Sequence, residues 1–287
     1  MLEIFTLAVA ALFGLAIGSF LNVIIYRVPR GESIAFPASH CTSCGHALAV
    51  RDNIPVLGWL ALRGRCRYCK TSISSRYALV EVMTATLFVL SLLEFGASLQ
   101  ALSAALLSAF LIVTVFVDID HLLILDALTV PAAIVGFVIA LLLGHALSAL
   151  QGAALGAALF GAIYLLTRGA GLGLGDVKLA AALGMFLGLH NSTAAFAAAF
   201  VVGALLAIPV LAMRKRRGRD VLPFGPFLVI GALILTFAPD LVFAPYGAYQ
   251  DFLYRRLGVV SPLMVDSRST ATRVDGSPTQ PACDCRY

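Results

Sequence analysis

Charge is scarce in this chain. Of its 287 residues only 12% are Asp, Glu, Lys or Arg, while 60% are hydrophobic, and the mean hydropathy is +0.96. A soluble globular domain carries about 25% charged residues, so the composition excludes that class. Strand-like alternation is missing too. The apolar runs are long and rich in Ala, Leu and Gly. Lipid admits only helices and closed barrels, because every backbone group must be paired internally, and without alternation helices remain. The chemistry that is absent narrows function further. No H-E-x-x-H occurs, and His40, His46, His121, His145 and His190 are scattered, so no Ser-His-Asp or Cys-His set forms. The glycine-rich stretch Gly171–Asp176 lacks the Lys-Ser/Thr of a phosphate loop and follows no strand, which argues against a nucleotide there. No internal repeat is visible.

Basic residues are also missing from particular places. The short connectors near Gly96, His145 and His190 have none. Eight lie between Arg27 and Arg76, and five more in Arg214–Arg219. This asymmetry explains the net charge of +5 without nucleic acid as a partner. It is the positive-inside pattern and places the basic segments in the cytoplasm.

The expected fold is an all-α polytopic membrane protein of about eight transmembrane helices with a cytoplasmic zinc-ribbon-like loop. The spans are Met1–Tyr26, Tyr77–Phe95, Leu99–Val117, Ala127–Leu143, Ala149–Leu166, the short Val177–Leu189, Ala194–Met213 and Phe224–Phe243. No basic residue precedes the first run and Arg27 and Arg30 follow it, the reverse of a cleavable signal peptide. The N-terminus is therefore expected outside, and eight crossings return the C-terminus there. The expected divisions are a first helix at 1–26, a cytoplasmic zinc-binding loop at 27–76, a seven-helix membrane domain at 77–243, and a polar, disordered tail at 244–287. Cys283 and Cys285 fall in that tail, at a spacing too weak to interpret.

The loop holds Cys41-Thr42-Ser43-Cys44 and Cys66-Arg67-Tyr68-Cys69, with 21 residues between the pairs. Two such pairs read as a zinc site, in which two tight knuckles supply four thiolates to a tetrahedral ion. Gly45 lets one knuckle turn back, and neighbouring Arg and Lys favour thiolates. The alternative, two disulfides, fits a reducing cytoplasm poorly. Four thiolates leave no open position, so the zinc is expected to be structural.

Carboxylates mark the other place of interest. Asp118, Asp120 and Asp126 sit between two apolar runs, and Asp176 follows the glycine-rich turn and opens another. Carboxylates at membrane edges are costly and tend to be functional. Alternation of the helices brings Asp118, Asp120, Asp126, Arg168 and Asp176 to the cytoplasmic edge. Asp118 and Asp120 are two residues apart and point in different directions on a helix, so only one of them can face a given partner. Asp126 fits an N-cap. Paired, Asp118 and Asp176 would share one proton and polarise a water for peptide hydrolysis; the alternative for each is a capped helix end. Glu81 lies inside the second span and is left between pairing with Arg76 or Arg27 and orienting substrate.

These pieces together resemble the bacterial type IV prepilin leader peptidases, bifunctional membrane peptidases and N-methyltransferases. The marks run from Gly18-Ser19-Phe20-Leu21-Asn22 through Arg30-Gly31-Glu32-Ser33, the two cysteine pairs, Asp52-Asn53-Ile54-Pro55, Arg76–Glu81, Asp118-Ile119-Asp120-His121, Gly173-Leu174-Gly175-Asp176 and Pro223-Phe224-Gly225-Pro226. The resemblance implies that Asp118 and Asp176 are the catalytic aspartates. It also implies that type IV prepilins or pseudopilins are substrates, cut at the cytoplasmic face of the bacterial inner membrane. The freed N-terminus is then expected to be methylated from S-adenosylmethionine. Leu125 departs from the family's usual proline. The basic leader is expected to meet Glu32, Asp52, Asp120 and Asp126. No βαβ fingerprint holds the methyl donor, so the 27–76 loop is expected to do so. Gly64, whose bare backbone allows close approach, is the cofactor-binding candidate; an ordinary knuckle turn is its other reading. Two other classes stand beside this one. A presenilin-like protease would share the Gly-x-Gly-Asp piece but leaves the cysteines unexplained, and a transporter would place its carboxylates near mid-membrane.

Overall fold

In the computed structural model the described residues are 2–213 and 224–244. The basic run at 214–219, Pro223, Cys283, Cys285 and nearly all of the expected tail lie outside them. The described residues form helices and no strand beyond two isolated bridges. They are α1 (Leu2–Arg27), the short α2 (Leu57–Ala61), α3 (Arg76–Phe95), α4 (Leu99–His121), α5 (Asp126–Leu142), α6 (Ala146–Thr167), α7 (Leu174–Met213) and α8 (Gly225–Phe237). Five helices are long and apolar enough to cross a membrane, and α5 and α8 are shorter apolar helices. The described residues are all-helical apart from those bridges, and the chain is a multi-pass membrane protein. Residues up to Pro239 make one compact unit; Asp240 opens a second, of which only a helical turn to Ala244 is described.

The sixth and seventh expected spans appear as one element, α7, broken at Gly188, whose φ of 72° and ψ of 177° are not helical. The break comes before His190, because only a glycine takes this conformation cheaply. Backbone freed within lipid needs a new partner. The Ser148 hydroxyl of α6 supplies one, accepting from the Leu189 amide at 3.0 Å.

Small residues bring the helices together. Gly14 and Gly18 let α1 lie on α3, where an added Cβ would come within 2.6 Å of Ala85 and Glu81 Cα respectively. Gly152 and Gly156 do the same between α6 and α7. Without a hydrophobic drive between helices in lipid, such close backbone approach is what holds them. α4 is shared by two apolar clusters. One face joins Leu21, Val80 and Phe88 of α1 and α3. The other joins Phe160, Leu179, Phe196 and Leu228 of α6, α7 and α8. The buried α4 thereby delivers its C-terminal residues to where α7 and α8 begin.

Candidate active site and loop

α4 ends in a tight turn: Leu122 takes the left-handed conformation and its amide bonds the Asp118 carbonyl at 2.8 Å. Asp118 is 5% exposed. Asp176 lies in the first turn of α7, 8% exposed, and its Oδ2 accepts the Gly173 amide at 2.9 Å. This caps α7 by reaching back, so the capping role foreseen for Asp176 is real. The two carboxylates are within electrostatic reach of each other. Asp118 Oδ2 is fully buried with no hydrogen-bond partner among the described residues. Such a group is costly and calls for a proton, a water or a substrate donor.

Glycines make room for this pair. A Cβ on Gly225, the first residue of α8, would overlap Asp118 Oδ2 and sit 3.1 Å from its Cγ. One on Gly175 would sit 2.8 Å from Ile124 Cβ in the α4–α5 connection. The other acids of this edge are paired within the chain. Asp120 takes Arg76, and Asp126 takes Lys178 at 2.6 and 2.8 Å. Asp126 is therefore not an N-cap. Leu125 holds that position with φ −85° and ψ 130° and no side-chain cap, so the missing proline does not prevent an extended entry to α5. Asp52 accepts from the Arg67 side chain. Of the four acids expected to receive a basic leader, three thus already carry a cation, and among the described residues only Glu32 has no ion pair.

In the loop, the Sγ atoms of Cys41, Cys44, Cys66 and Cys69 all lie within 4.8 Å of one another, and the cysteines are free rather than disulfide-bonded. Tetrahedral zinc with Zn–S of about 2.3 Å has S···S edges of about 3.8 Å; Cys41 and Cys69 are 3.8 Å apart. The four thiols fit a metal ion. Each knuckle closes on a residue with positive φ, Gly45 at 70° and Lys70 at 60°, bonding the Cys41 and Cys66 carbonyls respectively. Hydrogen bonding to Thr71, whose Oγ1 is 3.3 Å from Cys69 Sγ, pulls the Cys69 thiol down to about 6.

Between α1, α3 and this loop lies a cavity of about 400 Å³, whose lining includes Asn22, Tyr26, Trp59, Tyr77 and Glu81. Gly64 does not line it. At φ 65° it backs Trp59, whose Cζ2 would be 3.0 Å from an added Cβ. Glu81 does not pair with Arg76 or Arg27. Arg27 donates to the carbonyls of Ser33 and Pro37, and Glu81 Oε2 accepts the Val56 amide at 2.7 Å. Val56 has φ 60° and ψ −50°, and the Leu57 amide bonds the Pro55 carbonyl around it. This is a γ-turn, strained for a β-branched residue by roughly 1–3 kcal/mol. The Asp52–Pro55 motif leads directly into it, but its target 25 residues on could not be read from spacing.

Comparison with known proteins gives the family. Residues 12–95 match the Bacterial Peptidase A24 N-terminal domain, and residues 105–208 match the Type IV leader peptidase family. A Prepilin leader peptidase/N-methyltransferase of Aeromonas salmonicida is 35% identical over 262 residues, 80% of this chain and 90% of its own length. Enzymes of the same name from Aeromonas hydrophila and Neisseria gonorrhoeae are each 37% identical. They cover 80% and 83% of this chain, and 90% and 92% of their own lengths. No solved structure matches. With its aspartates at adjoining helix ends and its relatives matched over most of their length, the chain belongs to the type IV leader peptidase family.

Proposed function

We propose that this protein is a membrane aspartyl endopeptidase that removes the basic leader of type IV prepilins or pseudopilins and N-methylates the new N-terminus. The observation that carries the first activity is the buried pair of Asp118 and Asp176, with Asp118 Oδ2 lacking a hydrogen-bond partner among the described residues. In this reading one carboxylate takes a proton from a water, whose oxygen bonds to the scissile carbonyl carbon. The other gives its proton to the carbonyl oxygen. The tetrahedral adduct then collapses, the C–N bond breaks, and the leaving nitrogen takes up a proton. Two carboxyls sharing one proton supply both roles.

The substrate reaches this site as a membrane helix whose basic leader lies on the cytoplasmic side. The reading carries with it eight crossings, both termini outside, and a bacterial inner membrane whose lipid surrounds the helices. Cys41, Cys44, Cys66 and Cys69 hold a structural zinc that pins the loop. S-adenosylmethionine supplies an electrophilic methyl group: the amine N–C bond forms as the C–S bond breaks, and the amine's proton passes to solvent. Incubating the purified protein with a candidate prepilin and S-adenosylmethionine tests the whole reading. Mass spectrometry should show a shortened chain carrying one added methyl; an intact prepilin would overturn it.

A further inference from the structure

We infer that the cavity between α1, α3 and the 27–76 loop binds S-adenosylmethionine, with the Glu81 carboxylate facing its sulfonium. This rests on the methyltransferase half of the function proposed above. The cavity, about 400 Å³, falls within the roughly 300–1,000 Å³ of small-molecule sites.

Its chemistry selects a cation. Glu81 is 7% exposed, and among the described residues no basic group forms an ion pair with it. The other charged groups of the lining are already engaged. Asp52 is held by Arg67, and the Arg27 guanidinium donates to Ser33 and Pro37 carbonyls at 2.9 and 2.7 Å. Among the described residues Glu81 is hydrogen-bonded by the Val56 amide and the Ser19 side chain, both neutral. A buried carboxylate without a countercharge favours a ligand that brings one. The same cavity is lined by Trp59 and Tyr77, and by Tyr26, whose ring already carries the Arg30 guanidinium 4.0 Å from its centroid; the Trp59 and Tyr77 faces attract onium groups. The strained Val56 turn, aimed at Glu81 across the loop, holds the carboxylate in place. Strain of this kind collects at ligand sites. Gly64 then acts as a positioning residue, through the Trp59 ring it backs.

The site and the aspartate pair stand on different helix ends, α1 and α3 against α4, α7 and α8, so they can be tested apart. The full-length wild-type protein is irradiated with methyl-labelled S-adenosylmethionine, and the labelled peptides are sequenced. Label on peptides containing Tyr26, Trp59 or Tyr77 is expected; label confined to α4–α8 overturns the site. In parallel, binding of S-adenosylmethionine and of its uncharged-sulfur product, S-adenosylhomocysteine, is measured by calorimetry for wild type and Glu81→Gln. The variant is expected to lose about tenfold or more in affinity for the sulfonium compound, as for a hydrogen-bonded charge, with the product's affinity little changed. Unchanged discrimination between the two, or loss of both ligands together with leader cleavage, overturns the inference. Wild-type protein that cleaves but neither binds the donor nor methylates sinks the methyltransferase reading itself, a result distinct from label found elsewhere. The cross-linking arm needs no variant, so it decides the matter even if Glu81→Gln does not fold.

Discussion

Arg76 Nη1 donates to both carboxylate oxygens of Asp120, at 2.8 and 2.6 Å, while its Nη2 reaches the Phe116 carbonyl at 3.1 Å. Asp118, two residues earlier on the same helix, has no such cation among the described residues and is turned into the protein. The helix geometry that forbids the two acids from sharing a partner divides their work: one ties α3 to α4, the other is left for chemistry.

Asp118→Asn and Asp176→Asn should each lower leader cleavage by at least about 100-fold, the scale of losing a general acid or base. Both proteins should still insert into the membrane. Asp120→Asn should be milder, since the partly exposed pair it breaks is worth about 1 kcal/mol or less. Product mass spectra on membrane fractions decide; near-wild-type cleavage by either of the first two would refute the catalytic pair.

Gly225→Ala should impair cleavage by about 10- to 100-fold, because displacing a reacting group by about 1 Å is enough for that. The added methyl meets Asp118 Oδ2. Gly161→Ala is the control, as its nearest neighbour is 3.9 Å away, and it should leave kcat unchanged. Equal rates for both variants would mean that α8 does not press on Asp118.

Purified protein should carry about one zinc per chain, by the four-thiolate chemistry of structural sites. Trp59, the single tryptophan, sits in the loop and donates to the Ile73 carbonyl at 3.1 Å. Its emission therefore reports this region alone. Chelation or Cys66→Ser should shift that emission toward the unfolded value. Full activity with four freely labelled thiols and no metal would contradict a structural zinc.

The loop should also have an acid limit. Arg67 hydrogen bonding holds the Asp52 carboxyl below its ordinary value. A group depressed in the fold stabilises it fully above the unfolded value of about 3.9 and loses that contribution as pH falls through the folded one. The Asp52 part of the acid change in Trp59 emission should therefore fall below about 4. Asp52→Asn should remove this part of the transition; an identical acid limb in that variant would exclude the Asp52–Arg67 pair as its source.

Gly64→Val places a β-branched side chain at φ 65°, costing roughly 1–2 kcal/mol, and pushes on Trp59. The expected products are a cleaved but poorly methylated pilin and a shifted Trp59 emission. Cleavage and methylation falling together would make Gly64 structural for the whole loop.

What the sequence determined by itself was local. Run length and composition defined α1, α3, α4 and α6, because lipid forces any long apolar run into a helix. The cysteine spacing defined the two knuckles, since a tight turn needs only its own few residues. The edge carboxylates were visible as charges out of place. Tertiary structure decided their partners. Whether Asp126 capped α5 or met Lys178, whether Asp118 or Asp120 turned inward, and what Glu81 bonded to all depend on residues far off in the chain. The gap between the sixth and seventh runs placed their break near His190, but the helix breaks at Gly188. Ser148 on another helix satisfies the freed amide of Leu189 there. Such choices are made by close backbone contacts such as Gly225 against Asp118, which exist only once the helices have packed.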